Sequence, residues 1–251
     1  MSREIEIDLM WAVRQKFTEK IYKCVEAGAD LNKTVIYDSW YNTRGTVFST
    51  LAFCERKEPY PKDLILGLLD YLLDHDANPN LKCGVNDGDD YYTPIMSFIY
   101  DQTSGASLEA IEKLYERGAD LNETDVYGNT ALSIAASRRF EKKTTINIVK
   151  FLLQNGADPN KPNNCGLTPY EEAIRKENYR IASMIRDASQ KLIEDRFKNI
   201  EQKLAEVEQK NANLEKLLAE QQKQINLNNW KIQKENLKRL RAALSKKYRS
   251  I

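Results

Sequence analysis

The sequence predicts an all-α fold, a helical repeat solenoid followed by one long C-terminal coiled-coil helix. One short phrase returns four times, as Ala29-Asp30-Leu31-Asn32, Ala77-Asn78-Pro79-Asn80, Ala119-Asp120-Leu121-Asn122 and Ala157-Asp158-Pro159-Asn160. A second returns in step with it, as Thr46-Val47-Phe48, Thr93-Pro94-Ile95, Thr130-Ala131-Leu132 and Thr168-Pro169-Tyr170. After Pro169 the chain contains no further glycine or proline, the two residues that break helices. Phrases recurring at such spacing mark an array whose units bury their apolar faces only against their neighbours.

Each unit reads as two helices. The threonine can cap the first by accepting a hydrogen bond from an orphan N–H, and proline suits the first helical position. Small and apolar residues such as Leu132, Ile134, Ala135 and Ala136 then form the inward face of a short helix. Second helices carry Leu64, Leu68, Leu69, Leu72 and Leu73 in one unit, and Ile146, Ile148, Val149, Phe151, Leu152 and Leu153 in another. Gly28, Gly118 and Gly156 end three of them, where a left-handed residue is needed, and Asp76 takes that place in the fourth. The first unit, with helices around Asp8–Gln15 and Thr18–Glu26, lacks the threonine start, as a capping unit would.

Together with Asp125-Val126-Tyr127-Gly128-Asn129-Thr130-Ala131-Leu132, these phrases make residues 5–188 resemble the ankyrin-repeat family. The solenoid is expected over residues 1–188, as units at 1–32, 33–80, 81–122, 123–160 and 161–188. The family's usual histidine after the Thr-Pro-Leu start is replaced by Ser49, Met96, Ser133 and Glu171, which predicts the loss of one internal hydrogen bond per unit. The units exceed the family period of about 33 residues. The excess lies between paired helices and in two long fingers, Lys33–Arg44 and Leu81–Asp90.

The resemblance implies that fingers and first helices line a concave face where a partner protein binds. The fingers carry Tyr37, Asp38, Trp40 and Tyr41, then Asp87, Asp89, Asp90, Tyr91 and Tyr92, then Tyr127. Tyrosine and tryptophan offer large contact area at low rotamer entropy and dominate interface hot spots. Two readings stay open, that these rings meet a partner or that they pack finger against finger. The aspartates favour a basic or hydroxyl-rich partner.

Within the C-terminal rod a heptad register holds from Ile193 to Ile225. Its a positions are Phe197, Leu204, Asn211, Leu218 and Ile225, and its d positions are Ile193, Ile200, Val207 and Leu214, failing at Gln221. The g and e positions pair Arg196 with Glu201, Lys203 with Glu208 and Lys210 with Glu215. These signs match across a parallel, in-register seam and clash in an antiparallel one. A parallel homodimeric coiled coil is therefore expected over residues 189–228, with a lone helix docked on the solenoid as the alternative. The coil register ends near Asn226–Asn229, where the rod either continues or folds back. Residues 229–251 then read as a basic amphipathic helix, with its stripe at Trp230, Leu237, Leu240, Leu244 and Tyr248.

Charge is uneven. The net is +1, but residues 230–251 hold eight basic residues against Glu235, or +7, leaving −6 on the rest. An anionic membrane or an acidic surface is the expected counterpart of that end; no nucleic-acid motif accompanies it. The lone histidine, His75, is expected to complement a helix dipole rather than to serve a nucleophile or a zinc ion. No phosphate-binding glycine loop is present. The sequence thus predicts no enzyme, no metal and no cofactor. Cys24, Cys54, Cys83 and Cys165 are far apart and read as reduced thiols, two disulfides being the alternative. The N-terminus lacks the apolar run of a signal peptide, and a cytoplasmic protein is expected. The function this supports is a non-enzymatic adaptor or scaffold that binds a partner protein through its fingers and dimerises through its coil. The alternatives are a secreted microbial effector acting on a host protein in host cytosol, and a scaffold tethered to membrane by its basic helix.

Overall fold

A computed structural model describes residues 2–38, 43–52, 61–84, 91–100, 107–138 and 142–248. The chain divides into two compact units, Met1–Lys191 and Leu192–Ile251. The first is a stack of helix pairs: α1 (Ser2–Gln15) and α2 (Thr18–Glu26), α3 (Val47–Ala52) and α4 (Lys62–Asp74), α5 (Pro94–Tyr100) and α6 (Ser107–Glu116), α7 (Ala131–Ala136) and α8 (Lys143–Gln154), and α9 (Pro169–Arg175) with the start of α10 (Tyr179–Tyr248). First helices stack on first helices from α1 through α3, α5 and α7 to α9, and second helices stack from α4 through α6 to α8. Two short first helices, α3 and α7, are apolar almost all round and buried throughout, and α5 is buried from Pro94 to Ile99. Leu68, Leu69 and Leu72, Ile111 and Leu114, and Ile148, Val149 and Leu152 close the core from the second row.

Hydrogen bonds give both recurring phrases a physical meaning. Thr130 and Thr168 accept from the N–H groups of Ser133 and Glu171 at 3.2 and 3.3 Å. Thr46 and Thr93 do the same for Ser49 and Met96 at 3.4 Å. The residues standing in for the family's histidine correct one expectation, since three of the four restore a bond to the threonine. Ser49 Oγ accepts from the Thr46 N–H at 2.9 Å, and Ser133 Oγ lies 3.3 Å from Thr130 Oγ1. Glu171 Oε2 accepts from the Thr168 N–H at 2.7 Å, closing a capping box. Met96 has no hydroxyl or carboxylate with which to return one.

In the other phrase, the second residue folds the turn and the fourth joins the units. Asp30, Asn78, Asp120 and Asp158 each accept through Oδ1 from the backbone N–H two residues on, at 2.8 to 2.9 Å. Asn32, Asn80 and Asn122 then reach into the next unit. Their Nδ2 atoms donate to the carbonyls of Asp76, Gly118 and Gly156 at 2.9 to 3.0 Å. Their Oδ1 atoms accept from the N–H groups of Asn78, Asp120 and Asp158 at 2.6 to 2.7 Å. Asn160 ends the ladder by accepting from the Ser189 hydroxyl at 2.6 Å. The residue before each phrase is left-handed, with φ of +86° to +92° at the three glycines and +65° at Asp76. Beside Asp76, His75 donates through Nδ1 to the Tyr71 carbonyl at 2.8 Å, capping the end of α4.

Two fingers contain short antiparallel strand pairs that no helical period announces: β1 (Val35–Asp38) with β2 (Thr43–Gly45), and β3 (Cys83–Gly84) with β4 (Tyr91–Tyr92). Otherwise the fold is all-α. Cys24, which is buried, and Cys165, which is exposed, are free thiols.

The second unit, from Leu192, is the remainder of α10. The helix runs without a break through Asn226–Asn229, where Gln222 and Gln224 donate to Asn226 and Asn228 one turn on at 3.1 and 3.2 Å. The chain therefore does not reverse there. Among the described residues no helix is long and apolar enough to cross a membrane.

Candidate functional site

The third finger, which holds Tyr127, shows how a side chain is presented. Asp125 is buried, and its Oδ1 accepts from the N–H groups of Tyr127 and Asn129 at 2.9 and 2.8 Å. The Asp125 and Gly128 N–H groups close the turn on the Asn129 and Asp125 carbonyls. Asn163 repeats the design one unit later, its Oδ1 accepting from the Cys165 and Leu167 N–H groups at 3.0 Å. The two fingers are stitched together. The Asn164 N–H donates to the Tyr127 carbonyl, and its Nδ2 donates to the Val126 carbonyl, both at 2.9 Å. Gly128 has φ +77°, and a Cβ there would run into Asn164. On this fixed backbone the Tyr127 ring is 56% exposed, with Val126 beside it.

The other expected contact residues divide into two groups. Tyr37 and Asp38 lie in β1, and Tyr91 and Tyr92 form β4. Trp40, Tyr41, Asp87, Asp89 and Asp90 fall outside the described residues. Tyr92 is half-buried against the core edge, its ring 4.7 Å from that of Tyr100. Arg138 lies over the same Tyr100 ring at 5.7 Å and donates to the Tyr100 carbonyl at 3.0 Å. Tyr92 therefore packs on the helix that follows its own finger, a contact distinct from finger-against-finger packing.

Further exposed apolar side chains lie on the solenoid where sequence reasoning did not look. Ile7 and Trp11, one turn apart, face outward from α1 while Leu9, Met10, Ala12 and Val13 face the core. The Trp11 ring sits 5.3 Å from that of Phe17, and Lys20 Nζ lies 4.9 Å above it. The signal was the spacing of four from Ile7 to Trp11 in a unit whose outer face should be polar. In the last unit Tyr170 and Ile174 share the exposed side of α9 in the same way.

In the rod, Ile193, Phe197, Ile200, Leu204, Val207, Leu214, Leu218 and Ile225 are each 49% to 64% exposed, and Asn211 is exposed among them. They form one stripe of the expected register, turned to water within the single chain.

Among the described residues no group of three or more His, Cys, Asp or Glu side chains is placed to hold a metal ion. Some ionisation shifts belong to stabilising pairs and others to burial. The hydrogen bond from Lys62 lowers the Glu109 pKa, and the one from Lys82 lowers that of Glu123. Burial raises the Cys24 pKa.

A family profile described as ankyrin repeats (3 copies) matches residues 64–163 and 103–195. The chain belongs to the ankyrin-repeat family. Ankyrin repeats form a protein–protein interaction domain, and the capped helices and asparagine ladder are this chain's version of it. Two relatives extend the comparison. An intracellular phospholipase A2 of Caenorhabditis elegans is 37% identical over 81 residues, or 32% of this chain and 8% of that protein. An ankyrin repeat protein of Rickettsia felis is 36% identical over 88 residues, covering 32% of this chain and 39% of that protein. The chain thus spans well under half the length of either relative.

Proposed function

We propose that this ankyrin-repeat chain is a non-enzymatic, cytoplasmic adaptor that binds a partner protein along its finger face and forms a parallel homodimer through residues 189–228. What carries the reading is Tyr127. An aromatic ring stands outward on a turn held by five hydrogen bonds of its own and three from the next finger. Pre-organisation of that kind lowers the entropy lost on binding. Tyr37, Asp38, Trp40, Tyr41, Asp89, Asp90 and Tyr91 are assigned to the same partner contact on their residue types and their places in the earlier finger sequences. The exposed heptad stripe supports the dimer, because a contiguous apolar strip of that length marks a surface used for association. A dimer presents two finger faces, so avidity exceeds single-site affinity where the partner lets both engage.

The 8% overlap with the phospholipase gives no ground for assigning lipid hydrolysis to this chain. A second reading, a secreted microbial effector acting on a host protein, has the Rickettsia felis relative in its favour and would use the same face. The test is affinity capture from eukaryotic and bacterial lysates, with the full chain and a W40A/Y41A/Y91A/Y127A variant as baits. A protein held by the wild type and lost from the variant, with the melting temperature unchanged, supports the reading. Identical capture by both baits would remove the fingers from it.

A further inference from the structure

We propose that the end of α10, from Trp230 onward, is a peripheral docking face for anionic lipid surfaces. The first observation is a change of face. At about 100° per residue, the apolar stripe turns about 140° between Ile225 and Trp230. Ile232 keeps the earlier frame for one more a position, and Arg239 ends it. Since the helix is unbroken through Asn226–Asn229, the second stripe does not fold back against the first. Whatever covers the heptad seam leaves Trp230, Leu237 and Leu240 uncovered, and each is more than half exposed. The sequence repeats their spacing at Leu244 and Tyr248.

Charge complementarity selects the occupant. Lys231, Lys234, Lys238, Arg239 and Arg241 surround this stripe with Glu235 as the single acid, and Lys246, Lys247 and Arg249 follow. By helical spacing Lys234, Lys238 and Arg241 lie on the flank next to Trp230. Lys234 Nζ stands 4.7 Å over the indole ring. An indole in the apolar zone with an ammonium at its border matches the layering of a headgroup region, where the ring meets acyl chains and the cation meets phosphate.

A helical protein partner fits less well. With Trp230, Leu237 and Leu244 as one seam position, the companion positions are Gln233, Leu240 and Lys247, two of them polar. A lipid surface demands no register. The inference stands apart from the partner-binding reading, because it uses other residues and asks nothing of the fingers.

The test is vesicle flotation of the full chain. Phosphatidylcholine vesicles are compared with vesicles also containing phosphatidylserine, at low and high salt. Binding is expected only with phosphatidylserine, weakening as salt rises. A K231Q/K234Q/K238Q/R241Q variant is expected to lose about a hundredfold or more in partitioning. A W230S/L237S/L240S variant, which keeps every charge, is expected to lose binding as well. Circular dichroism with unchanged helicity shows that both variants remain folded. Equal binding to neutral vesicles, binding to neither kind, or capture of a glutamate-rich helical peptide in preference to vesicles would overturn the proposal.

Discussion

The two units of this chain use the same ingredient, apolar residues at helical spacing, with opposite outcomes. In the solenoid, Leu69, Leu72, Ile111 and Ile148 are sealed between neighbouring units, and the turn of each unit hydrogen-bonds to the next. In the rod, Phe197, Leu204 and Leu218 repeat as regularly and face water. A short-range array completes itself within one chain, whereas a single helix has no second row to close its stripe. Periodicity in a sequence therefore announces a face, and only the neighbouring elements decide whether the same chain covers it.

Core truncation breaks this comparison most strongly. Leu72→Ala, at a fully buried position in α4, is expected to cost the solenoid about 2–5 kcal/mol. Leu204→Ala is expected to change the solenoid's own unfolding by less than about 0.5 kcal/mol. Urea titration followed by solenoid tryptophan fluorescence, with Trp230 replaced in both backgrounds, separates the two. Next is the ladder. Asn122→Ala removes bonds to both the Gly156 carbonyl and the Asp158 N–H and is expected to cost about 1–2 kcal/mol. At its end, Asn160→Ala is expected to cost about half a kcal/mol or less, because the Ser189 hydroxyl can turn to water.

Gly128→Ala sharpens the role of the fingers. It forces a side chain into left-handed backbone against Asn164 and is expected to cost about 1–2 kcal/mol. Partner binding should fall although Tyr127 itself is retained, as a titration of the captured partner would read.

The smallest effect concerns the ion pairs along the second helices. Lys62–Glu109, Lys113–Asp70 and Arg117–Asp74 tie α4 to α6 at 2.6 to 2.7 Å, the second part-buried and the other two open to solvent. Glu109 titrates below its ordinary value because Lys62 donates to it. Its contribution is complete above the ordinary glutamate range and is lost as pH falls through the lowered value. The raised Lys62 pKa loses its share as pH rises through it. Lys62→Met should therefore flatten the acid limb of a pH–melting profile slightly, with no effect on its shape near neutrality.

Much of the solenoid was legible because its signals are local. The left-handed site before each Ala-Asx phrase and the threonine caps depend on a few consecutive residues, and the Thr18–Glu26 helix appears at its expected bounds. Contacts between units were less legible. Nothing in the spacing says that Asn122 reaches Gly156, or that Ser133 takes over a bond from an absent histidine, because both depend on where the next backbone passes. The β1–β2 and β3–β4 pairs were missed for a related reason. Strands of two to four residues have too little period to be seen, and their partner lies across a finger. Tyr92 was readable as an aromatic, but its packing on Tyr100 required the fold. Helix continuity through Asn226–Asn229 was hidden by residues that individually favour turns, while Gln222 and Gln224 support them from one turn back.

In the proposed function the solenoid completes itself while the rod is completed by a second copy. Sedimentation velocity of the full chain and of L204K/L218K, run at micromolar concentrations, tests it directly. A dimer is expected for the wild type and a monomer for the variant, with the same solenoid melting transition in both. A wild type that sediments as a monomer throughout, or a variant that remains dimeric, would contradict it.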